Sequence, residues 1–200
     1  MKNIIFDFGG VLIDWNARYF YRSYFADDER MEYFLAHICT NDWIEEQDRG
    51  RTYDEGMRVL QEQYPEWSEA IWQFKSGWPT MLHDCIAPSV EMLKQLKANG
   101  YGIYGLTNWS AENIGVAFER FPFFSLFDGI VVSGRERIIK PDERLYRILF
   151  HRYNLNPEEC VFLDDREANI RAGQRLGMRG IVFTNAADAM KQLREMGVRI

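Results

Sequence analysis

The strongest constraint on the fold is a short apolar run near the N-terminus that ends in an acidic residue. Ile4, Ile5 and Phe6 predict a buried strand, and Asp7 follows them directly, before Phe8-Gly9-Gly10. In open parallel sheets, ligands bind at the carboxyl ends of the strands, where strand ends and helix N-termini expose backbone N–H groups. Asp7 is therefore a candidate nucleophile or metal ligand, and the alternative is a cap for the glycine turn.

Three later apolar runs also end in polar or charged side chains. The first ends in small hydroxyl and amide groups that can bind an anion, the second leads through a polar loop to a lysine, and the third ends in two adjacent carboxylates. In chain order they are 102–106 before Thr107 and Asn108, 129–133 before the loop to Lys140 and Pro141, and 160–163 before Asp164, Asp165 and Asn169. Because Pro141 suits the first position of a helix, we expect a helix to open there.

The three carboxylates limit what these strand ends can bind. If Asp7, Asp164 and Asp165 converge, each like-charged pair at about 4 Å repels by roughly 4 kcal/mol at an effective dielectric constant near 20. One divalent cation together with Lys140 would neutralise the three negative charges. A small set of hard oxygen ligands, with room for water and phosphate, suits Mg²⁺ better than Zn²⁺ or Ca²⁺. The sequence therefore predicts a Mg²⁺ site that can accept a phosphate group.

The four motifs, in this order, resemble those of the haloacid dehalogenase-like superfamily of hydrolases. The resemblance covers the whole chain: Asp7 after the first strand, Thr107 after the second, Lys140 before a proline, and the pair Asp164-Asp165. Each motif is weak by itself, but their shared order and position argue against a chance match. The resemblance implies a phosphatase of this superfamily, similar to sugar-phosphate phosphatases such as those acting on glucose 1-phosphate, with a helical cap between the first and second motifs.

The resemblance also implies a role for each motif residue. Asp7 attacks phosphorus and forms a transient aspartyl phosphate, which water hydrolyses. Thr107, the Asn108 backbone and Lys140 hold the phosphoryl oxygens, and Lys140 also neutralises charge on the nucleophile. The implied Mg²⁺ ligands are Asp7, the Gly9 carbonyl, Asp164 and Asp165, with Asn169 nearby.

One position departs from the family pattern. Phosphatases of this superfamily usually carry a second Asp two residues after the nucleophile, which serves as general acid and base, and here that position is Gly9. Loss of such a group costs about 10²- to 10⁴-fold in rate. Three interpretations stay open: a phosphatase whose substrate has a good leaving group or whose acid comes from elsewhere, a 2-haloacid dehalogenase with Asp7 as nucleophile, and a non-catalytic protein that binds phosphate or Mg²⁺. Asp14 is a possible replacement acid, and its alternative role is to cap the next helix.

Strand and helix patterns alternate through most of the chain, which predicts an α/β fold. Apolar residues recur at helical spacing within 90–96, 145–149, 168–176 and 186–193, between or after the predicted strands. We therefore expect a Rossmann-like parallel sheet with helices on both faces.

The alternation lapses between Asp14 and Asp84, where we predict a helical cap. Residues 15–84 hold 15 of the chain's 30 aromatic residues, which suggests a small core of their own. Predicted helices cover 15–25, 28–38 and 43–47, and further helix starts lie at Thr52 and Ser68. The predicted catalytic core then comprises residues 1–14 and 85–200.

Charge separates the two predicted parts and limits the partners. Residues 15–84 carry 7 Lys/Arg against 14 Asp/Glu, whereas the remainder carries 17 against 16. The overall charge is −6 and no basic stripe is present, so nucleic acid is not an expected partner, because its binding depends on neutralising phosphates. A small phosphorylated metabolite needs only a local positive site.

The remaining features favour a cytoplasmic protein that acts as a monomer or homodimer away from membranes. No stretch reaches 18 apolar residues, and the chain enters its first strand without a basic leader or cleavage site. Cys39, Cys85 and Cys160 are odd in number and lack paired metal-binding spacing.

Substrate choice is expected to come from the cap face that closes over the strand ends. The first candidates are Trp15, Trp43, Asp48 and Arg49, and the alternative for each is ordinary cap packing or a surface ion pair. Trp109, directly after Asn108, is expected to line the pocket floor.

Overall fold

The protein is built on a five-stranded parallel sheet, and a helical segment is inserted after the first strand. The structure is a computed structural model that describes all residues 1–200. The strands are β1 Asn3–Phe6, β2 Ile13–Trp15, β3 Leu82–Cys85, β4 Gly102–Thr107, β5 Gly129–Val132, β6 Cys160–Asp164 and β7 Arg179–Val182. The helices are α1 Arg18–Tyr24, α2 Asp28–His37, α3 Asn41–Asp48, α4 Tyr53–Gln63, α5 Ser68–Met81, α6 Ala87–Ala98, α7 Ile114–Arg120, α8 Ser133–Glu136, α9 Glu143–Tyr153, α10 Glu167–Arg175 and α11 Ala186–Glu195.

The central strand β1 shows why both faces of the sheet are covered. Ile4, Ile5 and Phe6 are all fully buried, and successive side chains of a strand point to opposite faces. Ile4 and Phe6 pack in a hydrophobic cluster that includes residues of α6 and α11, while Ile5 packs in a second cluster with residues of α9 and α10. The predicted α/β fold, a parallel sheet with helices on both faces, is confirmed.

The strand order β5-β4-β1-β6-β7 places the motif-bearing strands side by side. β1 pairs in parallel with both β4 and β6, and Phe6 lies opposite Gly105 on one side and Leu163 on the other. The residues that follow these three positions therefore meet at one edge of the sheet.

The outer strand β7 was not among the predicted strands. It pairs in parallel with β6 and begins with Arg179 and Gly180. Because it has a neighbour on only one side and is partly exposed, its sequence lacks the continuous apolar run that marks the inner strands.

The helical segment lies between two short antiparallel strands. β2 and β3 pair with Ile13 opposite Cys85 and Asp14 opposite Asp84, so the two chain crossings into the segment run together as a ribbon. Helices α1 to α5 lie between them. The extent of the cap as a separate unit, residues 15–84, stays a prediction.

Packing within the segment differs from the expectation of a separate small core. Its buried aromatic residues, such as Phe34 and Phe74, belong to the same hydrophobic cluster as Phe6 of the central strand. Aromatic side chains therefore join the segment to the sheet face, because each buries a large apolar area on more than one side.

Two details at the start of the segment correct the sequence predictions. Trp15 belongs to β2, and the first helix begins only at Arg18, whose N–H donates to Oδ1 of Asn16 at 3.0 Å. Asp14 does not cap this helix, since its carboxylate accepts from the Tyr19 hydroxyl at 2.6 Å. The predicted helix over 15–25 is thus three residues too early at its start.

The connection that follows β5 also differs from the prediction. Lys140-Pro141 is a cis peptide bond and lies before the helix rather than at its first position. α9 begins at Glu143, and Asp142 is its N-cap, with its carboxylate accepting from the Arg144 N–H. An N-cap carboxylate accepts from a backbone N–H that has no partner within the helix. Asp142 therefore fixes the helix start at Glu143, two residues after the start predicted at Pro141.

None of the helices combines the length and the apolar character that crossing a membrane requires.

Candidate active site

Lys140 joins two carboxylates at the carboxyl ends of β1 and β6. Its Nζ lies 2.9 Å from Oδ1 of Asp7 and 2.6 Å from Oδ2 of Asp164, and it donates to the Leu106 carbonyl at 2.9 Å. The Lys140 side chain is inaccessible to solvent, and its three N–H donors all have acceptors. Lys140 therefore differs from most lysines, whose charged groups are exposed to solvent.

A buried charge cluster of this kind requires an explanation other than stability. Replacing a buried ion pair with apolar residues of similar volume is often neutral or stabilising, because desolvating the charges offsets their attraction. The carboxylate of Asp7 is nearly buried and that of Asp164 is fully buried. The cluster is thus more readily explained by chemistry at the sheet edge than by fold stability.

Asp164 is held by donors on three sides. Its Oδ1 accepts from the Arg166 N–H at 2.8 Å, and the Asn169 amide donates to Oδ1 and Oδ2 at 2.9 and 3.0 Å. The Asn169 carbonyl in turn accepts from the buried Tyr146 hydroxyl at 2.8 Å. Asn169 therefore lies next to the predicted metal site, where its side chain orients Asp164.

Thr107 and Asn108 present donors beside the same cluster. The Thr107 hydroxyl is buried and has no hydrogen-bond partner, and the Asn108 backbone N–H has no acceptor within the chain. The Asn108 side chain is used elsewhere: its Oδ1 accepts from the Lys140 N–H at 2.8 Å and its Nδ2 donates to the Lys140 carbonyl at 3.1 Å. A buried polar group without a partner costs about 1–3 kcal/mol, so these donors favour an anionic ligand.

Burial dominates the titration of this site. It raises the pKa of Asp7 to about 7, with Lys140 opposing the shift and Asp164 adding to it. Burial lowers the pKa of Lys140, but Asp164 and Asp7 more than offset this and raise it above its ordinary value. Burial and the neighbouring Asp164 also raise the pKa of Asp165. A nearby cation would therefore stabilise the ionised forms of Asp7 and Asp165.

The donor set fits Mg²⁺. One oxygen from each of Asp7, Asp164 and Asp165 lies within 4.8 Å of the others. Gly10, at φ +72°, makes room for this arrangement, because a Cβ there would lie 2.7 Å from Oδ2 of Asp165. Three carboxylates against one lysine leave two negative charges, and hard oxygen ligands of this charge suit Mg²⁺. The Gly9 carbonyl as a further ligand stays a prediction.

A cavity of about 110 Å³ begins beside Gly9 and extends beneath the helical segment. Its wall is largely aromatic, and the Trp78 and Trp109 rings meet edge to face at 5.6 Å. The cavity is lined by Gly9, Trp15, Ile44, Asp48, Tyr53, Trp78, Asn108, Trp109 and Asn113. The cavity therefore adjoins the carboxylate cluster, and Asp48 is the one acidic side chain among its mostly apolar lining residues.

The candidates for substrate contact fall into two groups in the structure. Trp15, Asp48 and Trp109 line the cavity. Trp43 is buried within the helical segment, where its indole N–H donates to the Gly56 carbonyl at 3.0 Å, and Arg49 is exposed and paired with Glu46. For Trp43 and Arg49 the structure thus favours the alternative roles of packing and a surface ion pair.

Four lining residues were not predicted: Ile44, Tyr53, Trp78 and Asn113. Ile44 lies four residues before Asp48 on α3, so helical spacing from Asp48 could have identified it. The sequence has no comparable signal for Trp78 and Asn113, because they reach the cavity from separate helical regions that only the tertiary fold brings together.

Comparison with known proteins agrees with this geometry. A family model of haloacid dehalogenase-like hydrolases matches residues 1–177. The sesquiterpene phosphatase AstK of Aspergillus oryzae is 29% identical over 98% of this chain and 96% of its own length. The drimenol cyclase DrtB of Aspergillus calidoustus is 26% identical over 96% of this chain, which corresponds to 36% of the cyclase.

A solved structure shares the fold. A HAD family enzyme of Bacteroides thetaiotaomicron, crystallised with magnesium and inorganic phosphate, superposes with a TM-score of 0.71 at 22% identity, covering 92% of this chain and 94% of the other. The motif order, the sheet topology and the family match agree, and the chain therefore belongs to the haloacid dehalogenase-like hydrolase family.

Proposed function

We propose that this hydrolase is a Mg²⁺-dependent phosphatase that cleaves a small phosphomonoester through an aspartyl phosphate on Asp7. The observation that carries the proposal is the bridge from Lys140 to Asp7 and Asp164, with an oxygen of Asp165 close by. The similarity to a sesquiterpene phosphatase along nearly the whole chain supports phosphate-ester chemistry. The magnesium and phosphate in a neighbour of the same fold support the choice of ion.

In the proposed first step, a carboxylate oxygen of Asp7 attacks phosphorus as the bond from phosphorus to the leaving oxygen breaks. The Phe8 N–H, which donates to Oδ1 of Asp7 at 2.7 Å, and Lys140 hold the carboxylate in one orientation. The Thr107 hydroxyl and the Asn108 N–H bind phosphoryl oxygens.

In the second step, water attacks phosphorus and releases Asp7 as a carboxylate. Lys140 neutralises part of the charge in both steps and loses no proton, because two carboxylates hold its pKa high. Mg²⁺ held by Asp7, Asp164 and Asp165 would supply further charge neutralisation on the phosphoryl group.

The cavity favours a substrate whose alcohol part is apolar. Trp15, Ile44, Tyr53, Trp78 and Trp109 form most of its wall, and burying apolar surface against such a wall contributes roughly 25 cal/mol per Å². A sugar would leave hydroxyls facing aromatic rings, where polar partners are few. The sesquiterpene phosphatase relative supports the apolar choice, and a sugar phosphate is the alternative that the sequence favoured.

The other two interpretations of the sequence are weaker. A 2-haloacid dehalogenase would use Asp7 without a metal, and the convergence of Asp164 and Asp165 on the nucleophile then has no purpose. A non-catalytic binder would not require a nucleophile held between Lys140 and the Phe8 N–H.

The test is phosphate release from farnesyl phosphate, glucose 1-phosphate and p-nitrophenyl phosphate, with Mg²⁺ and again after chelation. We expect Mg²⁺-dependent release, with farnesyl phosphate preferred over glucose 1-phosphate, and no release by Asp7→Asn. Chloride release from 2-chloropropionate without phosphate release would show a dehalogenase instead. No product from any of these substrates would favour the binding role.

A further inference from the structure

The position two residues after Asp7 is open space. Gly9 carries no acid, and a Cβ placed on it would meet no atom within 4 Å. An alkoxide is a poor leaving group, so a phosphatase acting on an aliphatic ester needs a proton donor close to this point. The donor must therefore come from another part of the chain.

Asp48 is the acidic side chain that lines the cavity together with Gly9. Other candidates are engaged elsewhere: the Asp14 carboxylate accepts from Tyr19 outside this cavity, and Asp165 lies against Gly10 within the carboxylate cluster. Tyr53 also lines the cavity, but burial raises the pKa of its hydroxyl far above neutrality. Asp48 is thus the lining residue suited to exchange a proton near pH 7.

The fold fixes the position of Asp48 against the core. Asp48 ends α3, and its carbonyl accepts from the Ser133 hydroxyl at 2.6 Å. Ser133 Oγ in turn accepts from the Trp109 N–H at 2.9 Å, in the segment that directly follows Thr107 and Asn108. A residue of the helical segment is therefore tied to the chain next to the predicted phosphate donors.

The surroundings of Asp48 suit both donation and acceptance of a proton. Burial raises its pKa to about 7, Glu45 from the same helix adds to this, and the Ser110 N–H and Lys140 of the core oppose it. Tyr53 of α4 faces the same carboxylate and stays neutral. Near pH 7 both forms of the carboxyl group are populated, which is the condition for acid catalysis in one step and base catalysis in the next.

We propose that Asp48 is the general acid and base of the reaction, supplied by the helical segment in place of the residue missing at Gly9. The inference rests on the proposed phosphatase function. In the first step the Asp48 carboxyl proton passes to the leaving oxygen as its bond to phosphorus breaks and the bond from Asp7 forms. In the second step the Asp48 carboxylate takes a proton from the attacking water as phosphate forms and Asp7 is released, which restores both residues.

The experiment compares Asp48→Asn with the unchanged chain on farnesyl phosphate and on p-nitrophenyl phosphate, in Mg²⁺ across pH 5 to 9. For farnesyl phosphate we expect kcat to fall about 10²- to 10⁴-fold. With p-nitrophenyl phosphate, whose leaving group needs no proton, the initial burst of p-nitrophenol is expected to persist while phosphate release slows. For farnesyl phosphate, kcat/KM of the unchanged chain should fall as the pH rises through about 7, because Asp48 loses the proton that it donates. This fall should be absent from the variant, whereas the loss of activity on acidification, through protonation of Asp7, should be shared by both proteins.

Two further variants distinguish this role from a structural one. Asp42→Asn, an exposed residue in the first turn of the same helix, is the matched control and should leave both rates unchanged. The double variant, Gly9→Asp with Asp48→Asn, places a carboxylate in the open space. Its kcat for farnesyl phosphate should be at least tenfold higher than that of Asp48→Asn alone.

The outcomes separate the two proposals. Asp48 is not the acid if the unchanged chain releases phosphate and Asp48→Asn lowers the turnover of both substrates, and the p-nitrophenol burst, by the same factor. The same conclusion follows if kcat/KM of the unchanged chain does not fall as the pH rises through about 7, a result that does not depend on the folding of any variant. If the unchanged chain releases no phosphate at all, the proposed function itself fails.

Discussion

The two walls of the site differ in polarity and in how firmly their side chains are held. The edge of the sheet is polar, buried and held by many bonds: Lys140 alone contacts Asp7, Asp164 and the Leu106 carbonyl. The opposite wall, from the helical segment, is aromatic and carries one carboxylate, Asp48. The comparison indicates that the sheet edge handles the phosphoryl group, which every substrate shares, while the helical wall meets the part that differs between substrates.

The largest expected effect is at the sheet edge. Asp7→Asn removes the nucleophile and should lower turnover of farnesyl, glucose and p-nitrophenyl phosphates alike, by more than about 10⁴-fold. Because burial raises the pKa of Asp7 to about 7, the fold disfavours its ionised form, and the neutral Asn should leave the melting temperature at pH 8 unchanged or raise it. If Asp7→Asn kept measurable turnover of some of these substrates but not of others, the sheet edge would not act on all substrates equally.

The second prediction tests how far the lysine holds the sheet edge together. Lys140→Met leaves two buried carboxylates without their partner and should lower the free energy of unfolding by about 3–5 kcal/mol at pH 7. The matched control is Lys2→Met, whose exposed pair with Glu159 should be worth at most about 1 kcal/mol. Equal effects in urea unfolding would contradict the view that the buried cluster is tightly coupled.

The third prediction concerns the carboxylate of the helical wall. The folded-state pKa of Asp48, about 7, lies above its ordinary value of 3.8, so the folded protein binds the proton more tightly than the unfolded chain does. The stabilisation from that proton is fully present below about pH 4 and is lost as the pH rises through 7. Asp48→Asn, which is always neutral, should therefore be more stable than the unchanged chain at pH 8, by up to about 4 kcal/mol.

Urea unfolding at pH 8 and pH 4.5 checks this directly. The advantage of Asp48→Asn should shrink as the pH falls, and Asp42→Asn should show no such trend. A variant that is less stable than the unchanged chain at pH 8 would mean that Asp48 is ionised and paired in the folded protein.

The smallest expected effect is on substrate preference. Ile44→Ala removes apolar surface from the helical wall and should lower kcat/KM for farnesyl phosphate about 5- to 30-fold, given roughly 0.8 kcal/mol for each buried CH₂ group. The value for glucose 1-phosphate should change less than twofold. Ile148→Ala, on a helix of the opposite face of the sheet, is the control, and an equal loss for both substrates would place Ile44 outside the specificity wall.

The sequence predicted the sheet edge far better than the helical wall. Asp7, Thr107 and Asp164 lie at the carboxyl ends of their strands, and Lys140 comes after the segment that follows β5. Parallel strands must align their carboxyl ends, so the approach of these residues follows from the fold class. Their catalytic roles stay predictions. Trp43 was a candidate for substrate contact, with cap packing as its alternative, and it packs inside the segment. A helix offers several faces, and the sequence does not say which one turns to the core.

The sequence by itself determined the fold class, the family and the residues at the strand ends, because buried strands and their polar ends leave a local pattern in the chain. Only the tertiary structure decided which side chains face those ends. It showed that the Asn108 side chain holds the Lys140 backbone and that Asp48 shares a cavity with Gly9. These contacts join residues that lie about 30 to 40 positions apart in the chain, and no local pattern encodes such pairs because packing between segments selects them.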